Sequence, residues 1–341
     1  MSIKEIIKET RIGFCSLIAL KGIRDNNTYH LLRGLYSDEL NLQLECRGEG
    51  MQGHVLYDIA LDDPRLGFFA LMRTVLCCLA FADTLGIKSY VSFPKDSLYS
   101  EKGVFHGTVN AFEYYFRPVS EITKKDIDKA SRVLTYQPKQ PKAFVEGYDE
   151  NKIIALLAKE YSKYIRLNEN VENEILKCCE LILQNKKTLG IHYRGTDSKD
   201  GYKGHPIGLK PDDYFIVLNS MIEKYKFEQV FIATDERDAI NIFSDHLQIP
   251  VKCFEDVKRS TDGHAVHTSI DNRENHQYRL GFEVLRDVIC LSYCDGLVAG
   301  LSNVSTFAQT IKMSRNEKYV TLIIISKGIN KTGKKFTVHK N

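Results

Sequence analysis

What this sequence lacks closes off several classes of function. It has no excess of charge: 47 Lys and Arg stand against 44 Asp and Glu, a formal charge of +3. That balance is too even for a dedicated nucleic-acid surface. It has no apolar stretch of membrane-spanning length: the longest run, Phe68 to Ala82, contains Arg73 and is too short to cross a bilayer. Met1 to Thr10 is charged and has no apolar core like that of a signal region. Nor is there a cysteine framework. The nine cysteines are odd in number, and Cys77-Cys78 and Cys178-Cys179 sit inside helical patterns without disulfide or zinc spacing. They read as core fillers in a reducing compartment. No Asp-x-Asp pair of the metal-binding sort is evident. His264-Ala265-Val266-His267 has a ligand-like spacing, but it lies in a polar loop with no cysteine nearby. The expectation is a soluble, cytoplasmic protein that holds no metal and binds no nucleic acid.

A chain of 341 residues exceeds the usual single-domain size. Two domains are expected, 1–185 with its linker helices and 186–341. In the first, Gly13 to Leu20 and His54 to Leu61 read as strands, and the polar, glycine-rich Asn41 to Gly53 reads as a loop. Phe69 to Thr84 has helical periodicity closed by Gly86, and Ile87 to Phe93 is strand-like, which makes a β-α-β unit. Asn110 to Val119 is rich in aromatics, either a sugar-stacking wall or simply core. Tyr136 to Tyr148 opens the passage between domains, followed by helical patterns at Ile153 to Ile165 and Val171 to Leu183. Beyond Leu189, strands (Leu189 to Tyr193, Gln229 to Thr234, Pro250 to Phe254, Gly296 to Ala299, Tyr319 to Ser326) alternate with helices. Such alternation implies a doubly wound parallel sheet.

Leu189 to Tyr193 alternates apolar residues and enters a turn at Gly195, so it reads as a buried strand. His192 and Arg194 leave its end, where open α/β sheets bind their ligands. The planar donor fork of an arginine suits a phosphate oxygen pair; an ordinary ion pair is the plainer alternative. Gly300 to Thr306 is a strand turning through glycine into a helix headed by Ser302, Asn303 and Ser305. Free N–H groups there make a phosphate site, or the side chains simply cap the helix. Asp287 shares a helix face with Leu280, Val284 and Leu291, and a carboxylate on a buried face needs strong donors. A guanine edge would supply two; Arg279 or Arg286 could serve instead. Asp235, at the end of the strand Gln229 to Thr234, either reaches a ribose or caps the next helix. Gly67 could let N–H groups approach a ligand at a helix head, or it is a loop glycine.

His192-Tyr193-Arg194-Gly195-Thr196-Asp197 resembles the His-x-Arg-x-Thr-Asp motif of the α1,6-fucosyltransferases, the nodulation fucosyltransferases and the protein O-fucosyltransferases. The later motifs follow in order: Ala233 to Glu236, Leu285-Arg286-Asp287 through Leu291 to Asp295, then Leu301 to Ser305. Gly67-Phe68-Phe69 and Glu113 to Phe116 are similar to the family's N-terminal glycine turn and aromatic segment. The resemblance implies a GT-B architecture of two facing Rossmann-like α/β domains, with GDP-β-L-fucose on the C-terminal domain and the acceptor mainly on the N-terminal one. It also implies transfer by inversion without a metal. By position, Arg194 would hold the β-phosphate, His192 and Asp287 would contact guanine, Ser302 and Asn303 would donate to the phosphates, and Asp235 would lie near the nucleotide. Asp197 would act as base or fix Arg194. The loop Ser198 to His205 departs from the α1,6 pattern, which makes Asp200 the expected base and puts that linkage in doubt. The expected acceptor is a glycan or lipid-linked oligosaccharide of a bacterial surface polymer. The basic tail Lys327 to Lys340 offers a weak contact to anionic lipid, or is a solvated terminus. Another GDP-sugar transferase and a non-catalytic nucleotide- or glycan-binding module are the competing readings.

Overall fold

The computed structural model of the chain describes residues 42–136, 150–196, 201–261 and 273–333. The chain splits into two units: one holds the described residues up to Asn168, Glu150 excepted, and the other those from Glu169 on.

The first unit carries a sheet ordered β1 (Leu42–Glu45), β4 (Val133–Tyr136), β2 (Leu56–Ala60), β3 (Lys88–Ser92). β2 runs parallel to β3 and β4, and β1 is antiparallel to β4. The expected β-α-β unit is present, with α1 (Phe68–Leu85) crossing between β2 and β3. This helix is apolar around most of its circumference, with Arg73 buried among its apolar neighbours. At 18 residues and a mean hydropathy of 1.7 it has the length and composition to cross a membrane, longer than the apolar run suggested, yet 83% of it is buried inside the unit. A helix that is hydrophobic all round and enclosed by protein is a core helix. Gly86 ends it in the left-handed region at φ 62, its N–H returning to the carbonyls of Ala82 and Asp83.

The aromatic segment is core. Asn110 caps the short α2 (Ala111–Tyr115), accepting from Phe112 N–H, and Phe112, Tyr114, Tyr115 and Phe116 are fully buried. Tyr115 and Phe93 meet the ring of Phe68 edge-on at 5.1 and 5.8 Å. Three short elements were not expected. β1 falls in the stretch read as loop, and α3 (Lys124–Lys129) and β4 follow the aromatics. α4 (Glu150–Tyr164) completes the unit apart from its first residue. The strand expected at Gly13 to Leu20 lies outside the described residues.

The second unit holds α5 (Glu169–Leu183), β5 (Thr188–Tyr193), α6 (Pro211–Tyr225), β6 (Gln229–Thr234), α7 (Arg237–His246), β7 (Val251–Lys252), α8 (His276–Tyr293), β8 (Gly296–Gly300), α9 (Asn303–Ser314) and β9 (Thr321–Ile325). Its five strands are ordered β7-β6-β5-β8-β9 and all run parallel. The first strand of the unit is therefore central, and the chain reverses its direction of travel between β5 and β8. Both faces are covered, as buried parallel strands require. Leu189, Ile191 and Tyr193 point into a core with Tyr214, Leu218 and Phe243 from α6 and α7. On the other face Gly190 lies against α8: a Cβ there would meet Leu291 and Cys294 at 3.0 and 3.3 Å. Burying side chains such as Leu189 and Ile191 stabilises the unit by roughly 1.5–3 kcal/mol each.

The boundary differs from the expected 185. α5 buries a single stripe, Val171, Ile175 and Cys179, with Cys179 against Cys290 of α8, and so belongs to the second unit. The eight described cysteines are free thiols; most are buried, whereas Cys46 is exposed and Cys178 half-buried.

Candidate functional site

In an open parallel sheet the strand carboxyl ends and the helix N-termini gather on one edge, and a crevice opens where the strand order reverses. Here that point lies between β5 and β8. β5 brings His192 and Arg194 to it, and the turn after β8 brings Gly300, Leu301 and Ser302. All five line one cleft of about 580 Å³, its open mouth included.

His192 is 7% exposed and pairs in register with Ala233 on β6 and Ala299 on β8, so the sheet fixes its backbone. Its carbonyl accepts from the Tyr214 hydroxyl at 2.9 Å, and its Nδ1 lies 3.3 Å from Ser302 Oγ. Burial, helped by the neighbouring charge of Arg194, pushes its pKa down to about 3. The imidazole is neutral at physiological pH, a hydrogen-bonding group and a poor base. Arg194, two residues on, is exposed.

Ser302 heads α9 in a reciprocal capping box: its Oγ accepts from Ser305 N–H at 3.1 Å, and Ser305 Oγ accepts from Ser302 N–H at 3.1 Å. Ser305 is 1% exposed, and its hydroxyl reaches the carbonyls of Gly300 and Ser302 at 2.8 and 2.9 Å. The expected donor-binding role of Ser305 is therefore corrected: the side chain ties strand to helix behind the cleft. Asn303 begins the helix without lining the cleft. What the first turn offers an anion is its N–H groups and the positive end of the helix.

Asp235 also departs from expectation. Its Oδ1 accepts from Gly195 N–H at 2.8 Å and its Oδ2 from Thr196 Oγ1 at 2.6 Å. α7 is headed by Glu236 with no side-chain cap. Each carboxylate oxygen thus accepts a hydrogen bond from the loop that carries Arg194, and neither caps the helix that follows. The same packing explains Gly195, where a Cβ would stand 2.7 Å from Glu236 Cβ.

Asp287 does not line the cleft. It sits on α8, one turn before Leu291 and so nearer the carboxyl edge, on the sheet face that His192 shares with Gly190. It is 7% exposed, and its Oδ1 has no hydrogen-bond partner. Burial pushes its pKa up to about 7 against the opposing charges of Arg259 and Arg286. Neither arginine claims it by hydrogen bond. Arg286 forks onto Asp256 at 2.6 and 3.1 Å, Arg259 reaches the carbonyl of Phe254 at 2.8 Å, and Arg279 is exposed. The internal-arginine reading of Asp287 is thereby set aside.

Gly67 lies in the first unit as the N-cap of α1, where Phe68 N–H already donates to the Tyr99 hydroxyl at 2.7 Å. The open cradle expected at Gly67 is filled from within. Asp197 and Asp200 lie outside the described residues, as do His264, His267 and the tail beyond Gly333. Asp126 and Asp128 have Asp-x-Asp spacing, but Asp126 closes a capping box with Thr123 and Asp128 pairs with Lys124. Among the described residues no group of three His, Cys, Asp or Glu is placed to hold a metal ion.

The remaining cleft wall was not foreseen. Tyr202 and His205 to Leu209 line it, held by the chain after β9. Gly204 N–H donates to Asn330 O, Asn330 N–H to His205 O and Ile207 N–H to Gly328 O, each at 2.9 Å. Pro206 and Ile329 form an antiparallel bridge. No local pattern could announce this pairing, which joins segments more than a hundred residues apart in sequence.

Fold and cleft together define a Rossmann-like α/β unit with a crevice at its switch point, lined by Arg194 and the turn that leads into α9. No family model matches the chain, and no curated protein does. Among solved structures it is similar to NodZ α-1,6-fucosyltransferase soaked with GDP-fucose (14% identity, 76% of this chain and 92% of that one, TM-score 0.45). It is also similar to fucosyltransferase NodZ from Bradyrhizobium (13%, 75% and 92%, 0.42) and to POFUT1 in complex with GDP (12%, 82% and 98%, 0.43). At these identities and TM-scores the likeness bears no functional weight.

Proposed function

We propose that this protein is a glycosyltransferase that moves L-fucose from GDP-β-L-fucose to a glycan hydroxyl with inversion and without a metal ion. The observation that carries the reading is the meeting of Arg194 with the N-terminus of α9 across the β5/β8 switch point. A guanidinium and a helix head there can stabilise the diphosphate as it leaves, the role a divalent ion plays elsewhere. The orphan Asp287 oxygen supports a guanine head group, whose ring N–H and exocyclic amine are the two donors it lacks. His192, neutral and buried beside Ser302, can hydrogen-bond the same nucleotide without adding charge. The motif order from His192 to Ser305, by its resemblance to the fucosyltransferases, supports GDP-fucose as the donor. A cytoplasmic pool of that donor and a lipid-linked or surface-polymer acceptor complete the proposal.

The test is a panel of GDP-sugars followed by GDP release, with EDTA present. GDP-fucose should turn over best, and chelation should leave the rate unchanged. Arg194→Ala should weaken GDP by roughly 10- to 100-fold, the loss of one charge-assisted contact of about 1.5–3 kcal/mol, while the fold survives. GDP that binds Arg194→Ala as tightly as wild type overturns the site, and a preference for another GDP-sugar overturns the donor.

A further inference from the structure

Transfer requires a group that accepts the proton of the attacking hydroxyl, and the cleft wall narrows the choice. Among its described residues only His192, Arg194, Tyr202, His205 and Tyr214 can titrate. His192 is a poor base, its pKa held near 3 by burial. Arg194 is a permanent cation. Tyr214 is 1% exposed, its hydroxyl donates to His192 O, and burial drives its ionisation further from neutrality. Tyr202 carries a neutral phenol, a weak proton acceptor. Asp235, which accepts two hydrogen bonds from the Arg194 loop, and Glu236, whose carboxylate packs on Gly195, do not line the cleft. His205 remains. It is half-buried, unlike the enclosed His192, and imidazole is the side chain whose proton affinity falls in the physiological range.

We propose that His205 is the general base of the transfer reaction, which rests on the transferase reading above. The backbone on both sides of His205 is pinned, by Gly204 N–H on Asn330 O, Asn330 N–H on His205 O and Ile207 N–H on Gly328 O. The Tyr202 ring, centroid 5.9 Å away, packs beside its imidazole. A base held on a fastened loop meets the requirement that a catalytic group be positioned before the reaction. The acceptor oxygen forms its bond to the anomeric carbon as the bond from that carbon to the β-phosphate oxygen breaks. The electron pair leaves with GDP, towards Arg194 and α9. The hydroxyl proton passes to a ring nitrogen of His205 and from there to solvent.

The full chain is assayed with GDP-fucose and a set of acceptor glycans, water included, reading GDP release and, separately, GDP affinity by calorimetry. His205→Gln keeps a polar side chain of similar size without the basic nitrogen. It should lower kcat by roughly a hundredfold or more while GDP affinity stays within about twofold. His205→Ala should regain part of its rate with added imidazole, which a purely structural role would not allow. The assignment is overturned if His205→Gln keeps its kcat, if kcat and GDP affinity fall together, if imidazole restores nothing, or if Asp197→Asn or Asp200→Asn shows the large loss while His205→Gln does not. A wild-type protein that binds GDP-fucose yet releases no GDP overturns the transferase reading itself, and the base with it.

Discussion

Replacing Asp287 by asparagine should make this protein more stable and a poorer binder of GDP. The carboxyl is enclosed on α8 with an unpartnered Oδ1, and burial lifts its pKa from 3.8 to about 7. Below about pH 4 it is protonated in both folded and unfolded chains and contributes nothing to the pH dependence. Between about pH 4 and 7 the unfolded chain ionises first, so stability falls as pH rises. Above about pH 7 the loss is complete and amounts to at most about 4 kcal/mol, at about 1.4 kcal/mol per tenfold change in proton affinity. Asparagine cannot ionise, so Asp287→Asn should be the more stable protein at pH 8, by on the order of 1–3 kcal/mol once local relaxation is allowed for. The advantage should fade towards pH 4. Urea denaturation at pH 4, 6 and 8 reads this directly. GDP should act in the opposite sense, because N–H donors from guanine favour the ionised carboxylate. Near pH 7 its binding to wild type should then release a proton, visible as a buffer-dependent calorimetric enthalpy that Asp287→Asn lacks. An Asp287→Asn protein less stable than wild type at pH 8 would mean that Oδ1 is already satisfied. A more stable variant that still binds GDP with full affinity would remove Asp287 from the nucleotide site.

His192 sets the acid limb of stability. Its folded pKa lies near 3 against 6.5 when exposed, so its contribution is intact above about pH 6.5 and is lost as pH falls towards 3, by at most about 5 kcal/mol. His192→Asn should flatten that limb in denaturation curves between pH 6 and 4, and an unchanged slope would show that the ring is hydrated. Asp235→Ala should release the Gly195–Thr196 loop by deleting two hydrogen bonds to a charged group, each about 1.5–3 kcal/mol. The expected result is at least about a tenfold weaker GDP affinity, since Arg194 rides on that loop; unchanged affinity by calorimetry would show that the loop is held by other means.

The second unit was legible because its strands are covered on both faces. Leu189 to Tyr193, Gln229 to Thr234 and Gly296 to Ala299 carry apolar residues at nearly every position, and that signal survives without knowledge of partners. His192 and Ser302 could be placed for the same reason, as they stand at the ends of those strands. Short elements were not legible. α3 is closed by the box of Thr123 with Asp126, β1 is held by β4, and β4 by β1 and β2 on its two sides. A four-residue strand has too few positions to show a period. Partners that lie close in space leave no local mark, as with Tyr99 on Phe68 N–H and Gly195 and Thr196 on Asp235, whereas for Ser305 the local cap was already an open alternative. The boundary moved for a related reason. The helical pattern of α5 was evident, whereas the surface it packs on, more than a hundred residues downstream, was not.

The charges at this edge of the sheet favour an anion over a cation in the cleft. Three described carboxylates of this unit are spent or muted. Asp235 is hydrogen-bonded by the loop it supports, Asp256 is forked by Arg286, and Asp287 retains its proton more readily than an ordinary carboxyl. No described Asp or Glu lines the cleft, whereas Arg194 and the N-terminal end of α9 do. His192, kept neutral by burial, adds no second fixed cation there. Catalysis requires binding that strengthens as charge develops on the leaving diphosphate. On the transferase reading proposed above, one exposed guanidinium and a helix head, with a neutral imidazole between strand and cap, would respond to that charge without trapping the product.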